Sequence, residues 1–393
     1  MAVIRVQKLV CLLFISFLFS CSNDHSNSNK HDTNDSLKIK REPDAETKRK
    51  AALLKFYFEI KEKVGFNGNV LIATAGNVIY RDSFGYVDIK KKIPLTTNTL
   101  FQLASTSKPF TAVAIMILKE KGYLNYSDNI KRFIPDFPYD KVTIKDLLTQ
   151  RSGLPNYMYF TDSLYQQKEV DLTNEKLVSL FVDYKPPLYS PPNKKFEYCN
   201  TNFALLASII ENVSGKTYSQ FMHEEIFSKL GMENTFVKDD PELKNKDVAL
   251  GHHATGQEYE MDYLDGPLGD KNIYSTIDDM LKWDQALYDT TLLSKATLDE
   301  AFKGYSNEHA GIRNYGYGFR LLTDRKKNTV VVYHHGWWHG FNNVFFRRLS
   351  DKTTIIILSN KRAAGIFNST YDILNLLDGT SGAGTEKESD SGE

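Results

Sequence analysis

Three short groups of residues in this 393-residue chain have types and spacings from which chemistry can be built. The first is Ser105-Thr106-Ser107-Lys108, inside the run FQLASTSKPF at 101–110. On a helix, positions i and i+3 lie on one face about one turn apart, so the Ser105 hydroxyl and the Lys108 amine can share a proton. Serine is a poor nucleophile until a base takes that proton, and a lysine serves as the base only where burial or neighbouring positive charge disfavours its ammonium form. Pro109 fits the first turn of a helix beginning here. The second group is Tyr198-Cys199-Asn200, after the Pro-rich stretch 186–192. A phenol beside a cationic lysine ionises more easily and can relay a proton, while the amide two residues on can orient a substrate carbonyl or the lysine. The third is His334-His335-Gly336, at the end of an apolar strand pattern and followed by Gly340-Phe341. A glycine there lets a ligand or another backbone approach closely. Taken singly, each group has a plain alternative: a helix start with a surface lysine, a loop whose Asn caps the next helix, a strand end with a turn glycine.

Histidines raise the question of a metal. His334, His335 and His339 fall close together, and His252-His253 form another pair. A zinc site needs three or four ligands in tetrahedral geometry, yet His334 and His335 on one strand point to opposite faces. No metal and no cofactor is expected, and His339, His252 and His253 read as loop residues or supports.

In order and together, the three groups resemble the S-x-x-K, Y-x-N and K/H-x-G motifs of the penicillin-recognising serine hydrolases, of which class A enzymes carry a sister set. Order and spacing fit the class C β-lactamase, penicillin-binding protein and D-alanyl-D-alanine carboxypeptidase branch. Further likeness lies in 144–157 (IKDLLTQRSGLPNY), 196–215 (FEYCNTNFALLASIIENVSG), 273–280 (IYSTIDDM) and 315–319 (YGYGF), and the resemblance spans roughly residues 66–377. It implies a β-lactamase/transpeptidase-like fold and a set of roles. Ser105 would attack a carbonyl and become acylated. Lys108 and Tyr198 would carry its proton to the leaving group. Asn200 would bind the substrate amide, and His334, opening the motif that ends in Gly336, would hydrogen-bond near the Tyr198 oxygen. The backbone N–H groups of Ser105 and Trp337 would form the oxyanion hole, each such donor contributing about 3 kcal/mol. Water would then release the acyl group.

The departures from the family pattern bear on substrate. His334 stands where relatives often have Lys, so an imidazole with an ordinary pKa of about 6.5 replaces a fixed charge. Trp337 and Trp338 would wall or narrow the acyl pocket, and Gln150, where His is common, has no assigned role. An ester, a D-amino-acid peptide or a related amide is therefore expected as substrate ahead of an anionic β-lactam. A β-lactamase proper and a non-catalytic lipoprotein binding peptidoglycan peptides are the alternatives.

The elements that must position these residues follow from periodicity. Residues 45–64 suit an amphipathic helix, and 69–81 suit a hairpin turning at Gly76-Asn77. Helical patterns fill the middle at 107–121, 144–148, 203–213, 218–230 and 276–288. Strand patterns return at 329–334, 344–348 and 353–358, before a closing helix at 366–377. This order predicts an α/β (α+β) fold: an antiparallel sheet assembled from both chain ends and flanked by helices, with a helical lobe from the middle of the chain. One domain over 51–378 accounts for all of it.

Composition and the chain ends bear on location. The chain is 41% hydrophobic and carries 49 basic against 49 acidic residues, without the clustered cations that nucleic acid requires. Arg5 and Lys8 precede an apolar run at 9–19, too short to span a bilayer, which takes about 20 residues, and suited to an export signal over 1–20. Leu18-Phe19-Ser20-Cys21 resembles a bacterial lipobox, which would make Cys21 the lipidated first residue of the mature chain. Residues 21–50 then form a polar tether and 379–393 a polar tail, neither with enough apolar surface to fold. Only Cys11, Cys21 and Cys199 exist, so the processed chain has no thiol pair left for a disulfide. The expected partners are a small-molecule or peptide substrate and, through the lipid, the bacterial cell or outer membrane. Cys21→Ser should release the protein from membranes or block its processing, since several acyl chains together make a stable anchor. Cell fractionation with metabolic lipid labelling checks this, and unchanged association and labelling would place the anchor elsewhere.

Overall fold

The apolar runs at the two ends of the chain pair with each other. The computed structural model describes residues 43–308, 311–363 and 365–380. The strands are β1 (Gly68–Thr74), β2 (Asn77–Phe84), β3 (Tyr86–Asp88), β4 (Ile93–Pro94), β5 (Phe101–Gln102), β6 (Phe236–Val237), β7 (Ile273–Ser275), β8 (Arg313–Tyr315), β9 (Arg320–Thr323), β10 (Thr329–Trp338), β11 (Phe341–Arg348) and β12 (Thr353–Ser359). The helices are α1 (Ala45–Lys63), α2 (Lys108–Glu120), α3 (Ile144–Leu148), α4 (Tyr157–Leu164), α5 (Asn174–Tyr184), α6 (Asn200–Ser214), α7 (Tyr218–Met222), α8 (Ile277–Ala286), α9 (Lys295–Ala301) and α10 (Ser369–Asp378). Seven strands form one antiparallel sheet in the order β2-β1-β12-β11-β10-β9-β8, with Val70 opposite Ile357 and Leu71 opposite Ile356 where the two chain ends meet.

Helices cover both faces of this sheet, so β1 and β12 are buried almost throughout, with continuous apolar runs at 70–73 and 355–358 rather than alternation. On one face Val70, Ile72, Ile355 and Ile357 meet Leu54 and Phe58 of α1 and Ile373 and Leu377 of α10. On the other, Leu71, Phe345, Ile356 and Leu358 join a larger core with Phe110 of α2, Phe203 of α6 and Trp283 of α8. Helices α3 to α7 supply the lobe, and the small sheet β5-β7-β6 ties the segment before α2 to the segment before α8.

Several boundaries differ from the sequence expectation. Helix α1 begins at Ala45, capped by the Asp44 carboxylate that accepts the Thr47 N–H at 2.7 Å, so the end of the 21–50 stretch is helical. Residues 1–42, with the expected signal and Cys21, lie outside the described residues, as do 381–393 of the expected tail. Strand β10 does not end at the His334-His335-Gly336 group but runs through it to Trp338. It turns at His339 and Gly340, both at positive φ (39° and 89°) as tight hairpins demand. The expected helix 218–230 stops being α-helical at Met222 and continues as a π turn, His223–Phe227. Among the described residues no helix is long and apolar enough to cross a membrane.

Candidate active site

Ser105 lies on a 3₁₀ turn, Ala104–Ser107, that runs directly into α2, with Pro109 in the first turn of that helix. Every residue of α2 from Lys108 to Leu118 is buried. The helix therefore enters the core with its lysine, and Lys108 has no exposed surface. Its Nζ donates to Ser105 Oγ at 3.0 Å and to the backbone oxygen of Asp270 at 3.0 Å. Ala104, just before the serine, holds φ at +50°, a conformation that costs a non-glycine residue about 1 kcal/mol or more and survives where surroundings impose it.

The second group comes down beside this turn. Lys108 Nζ is 5.0 Å from the centre of the Tyr198 ring. Asn200 is the first residue of α6; its Nδ2 donates to Met158 Sδ at 2.7 Å, while its Oδ1 is buried with no hydrogen-bond partner among the described residues. Gln150, to which the sequence gave no role, holds this loop. It is fully buried at φ +58°, its Oε1 accepts from Cys199 N–H at 3.0 Å and Asn202 Nδ2 at 2.5 Å, and its backbone oxygen accepts from Glu197 N–H at 2.8 Å. Only the fold reveals this, because the bonding partners are some fifty residues away.

The third group splits. Strand β9 pairs with β10 only as far as Tyr333, opposite Arg320, while β11 accompanies β10 to Trp338. Residues 334–338 thus pass the nucleophile turn with one edge outside the β9 ladder. Gly336 is what permits the approach: a Cβ there would stand 2.2 Å from the Leu103 backbone oxygen and 2.9 Å from Thr106 Oγ1. His334 is fully buried behind this surface, its Nδ1 2.7 Å from the His335 oxygen and its ring 6.3 Å from that of Tyr198. Burial first, then the charges of Arg320 and Lys108, hold its imidazole well below the usual histidine range. It is a neutral group throughout ordinary pH rather than a titrating one.

These segments enclose a pocket of about 580 Å³ with Ser105 in its wall. Tyr198, Asn200, Trp337 and Trp338 line it, as does His335, stacked on Phe367 at 4.1 Å; His334, beside Tyr198, and Gly336 do not. Arg313 and Arg320 also line it, with the Arg320 guanidinium 5.0 Å from the Tyr198 ring centre. These two residues lie on β8 and β9, strands too short to be read from the sequence. Among the described residues one grouping has donor atoms close enough to share an ion, Asp262, Asp265 and His339. Asp265 is already engaged, accepting from Trp338 Nε1 at 2.5 Å and from Asp262 N–H at 2.6 Å.

An antiparallel sheet that presents a serine at the mouth of a buried helix, with a lysine one turn behind it, defines a class of serine hydrolases. The comparison with known proteins narrows it: a family model described as Beta-lactamase matches residues 60–375, and the chain belongs to that family. Penicillin-binding protein 4* of Bacillus subtilis is 37% identical over 283 residues, which cover 68% of this chain and 62% of that protein. The chain thus matches less than two thirds of that relative's length. Among solved structures, an octameric penicillin-binding protein homologue from Pyrococcus abyssi superposes with a TM-score of 0.71 at 26% identity, covering 84% of this chain and 77% of that one. A D-amino acid amidase from Ochrobactrum anthropi shares the fold, with a TM-score of 0.69 at 22% identity over 86% of this chain and 98% of that one.

The packing at Gly336 yields a test. Gly336→Ala should displace the nucleophile turn, lowering kcat/KM by about a hundredfold and stability by about 1–3 kcal/mol. Steady-state kinetics and thermal unfolding measure both, and a variant with unchanged rate and Tm would show that the approach is not tight.

Proposed function

We propose that this protein is a serine hydrolase that works through an acyl-enzyme on an ester, a D-amino-acid peptide or a related amide at the cell envelope. The observation that carries the reading is the fully buried Lys108 with its Nζ 3.0 Å from Ser105 Oγ at a pocket wall. Burial disfavours a charged lysine, and a neutral amine at that distance accepts the serine proton as Oγ bonds to the substrate carbonyl carbon. The proton passes by way of Lys108 and Tyr198 to the departing oxygen or nitrogen. Water then attacks the Ser105 ester and returns a proton to Oγ. The free edge of β10 supports Trp337 N–H as an oxyanion donor. The buried, unpartnered Asn200 Oδ1 suits a substrate N–H, which would satisfy an acceptor costly to leave alone.

Within this reading the two guanidiniums favour substrates with a negative group. The ion that relatives of this pattern place at the head of the third motif is absent here, since His334 is neutral and out of the pocket, but Arg313 and Arg320 bring positive charge to the pocket wall. A peptide with a free terminal carboxylate gains more from them than a neutral ester does. The names of the relatives, a penicillin-binding protein and a D-amino acid amidase, agree with amide substrates of this kind. A lipid anchor at Cys21 would hold the domain at the envelope, where such peptides occur.

Ser105→Ala should lose turnover of short acyl esters and D-Ala-D-Ala peptides by at least about a thousandfold with an unchanged melting temperature. Near-normal activity would remove the nucleophile assignment. A wild-type protein that binds these peptides but hydrolyses none of the esters, peptides or β-lactams offered would instead favour the binding-protein alternative.

A further inference from the structure

The pocket is lined by a lysine that the reaction outlined above does not use. Lys271 lines the same cavity as Ser105, yet its side chain is only 3% exposed. Its Nζ donates to the Tyr157 hydroxyl and lies 3.3 Å from Asp270 Oδ2, and Tyr157 in turn donates to Asp270 Oδ2 at 2.9 Å. Asp270 and Tyr157 have no exposed surface. The ammonium is also 5.0 Å from the ring centres of Tyr157 and Trp338. A buried ion pair of this kind is a poor device for stability, since desolvation offsets most of its attraction, so its position calls for another account.

The backbone around it supplies one. Four residues of segment 269–273 are fastened to the stretch 102–111 that carries the nucleophile. Gly269 O accepts from Thr111 Oγ1 at 2.6 Å, Asp270 O accepts from Lys108 Nζ at 3.0 Å, and Asn272 Oδ1 accepts from Gln102 Nε2 at 2.7 Å. Ile273 O accepts from Leu103 N–H at 2.7 Å, and Ile273 N–H donates to Ser107 Oγ at 3.1 Å. Gly269, at φ +97°, could carry no side chain there, because a Cβ would stand 2.4 Å from the Phe203 backbone oxygen. One peptide in this frame, that of Asp270, holds the Lys108 amine, and the side chain of the same residue is locked by Lys271 and Tyr157.

We infer that Lys271 is a positioning residue for the reaction: it fixes the Asp270 peptide against Lys108 and, because both amines contact that one residue, brings a second positive charge near enough that Lys108 gives up its proton more readily. The inference rests on the reading of Lys108 as the base for Ser105. The charged and titratable groups facing the two lysines are Asp270, Asp265 and Tyr157 around Lys271, and Asp270, Tyr198, His334 and Lys271 around Lys108. Burial pushes the Lys271 ammonium below the usual lysine range, and the Lys108 charge pushes the same way against the pull of Asp270 and Asp265. Coupling between two titrating sites is mutual, so the Lys271 charge acts equally on Lys108.

The test is the pH–rate profile of the intact protein with a chromogenic acyl ester. The acidic limb reports loss of the Lys108 proton. Removing a neighbouring positive charge lets Lys108 keep that proton to higher pH, so Lys271→Met should move the limb upward by about one unit and lower the rate at pH 7 by about tenfold. Lys271→Gln, which keeps hydrogen bonds to Tyr157 and Asp270 but not the charge, gives the same shift and serves where the Met variant does not fold. Lys271→Arg should leave the limb in place. A limb unmoved in both neutral variants, whatever their rates, overturns the inference while Ser105→Ala remains inactive. If Ser105→Ala hydrolyses the ester as fast as the wild type, the proposed function fails and the inference falls with it.

Discussion

A lysine amine with no access to water has to be neutral, paired or held by fixed dipoles, and the site is arranged around one such amine. Lys108 Nζ sits between Ser105 Oγ and the Asp270 backbone oxygen. To keep it there, α2 is sunk in the core along its length, and segment 269–273 is bonded to the turn on which Ser105 lies. β10 presses against the same turn through a glycine. Sheet, helix and segment each fix a different side of one short stretch, residues 103–108. The left-handed Ala104 is the local sign of that constraint.

The electrostatics of the pocket follow from which groups are buried and which reach it. His334 is enclosed between Tyr198 and Tyr315 and neutral, so it supports the Tyr198 region without supplying charge to a substrate. The cavity wall carries Arg313, Arg320 and Lys271 together with the acidic Glu197 and Asp270, Lys271 being paired with Asp270. Trp337 and Trp338 add aromatic surface to it, Trp338 being fixed by its bond to Asp265.

Much of this was legible in the sequence, and the limits have physical causes. Helices α2, α3, α6 and α8 and the three closing strands fall where periodicity places them, because long apolar patterns outlast uncertainty at their ends. The sheet assembled from both chain ends followed from element order alone. Ser105 and Lys108 lie together as their spacing implied, and Tyr198 and Asn200 stand beside them as the family resemblance implied. The extent of β10 was misjudged because a glycine inside a strand reads as a strand end, when here it marks a close backbone contact. Gln150, Lys271 and Arg320 could not be found from the chain alone. Their partners are distant in sequence, and an isolated Gln, Lys or Arg resembles any surface residue until the fold shows it buried or facing a cavity.

The central claim is that buried Lys108 activates Ser105, and covalent labelling with a fluorophosphonate tests it most directly. Intact mass and peptide mapping of the labelled wild-type protein should show one adduct, on Ser105, and Lys108→Met should slow its formation by a factor of about 10² to 10⁴, the usual range for removing a general base. Labelling at another residue, or labelling of Ser105 at the same rate without Lys108, would contradict it.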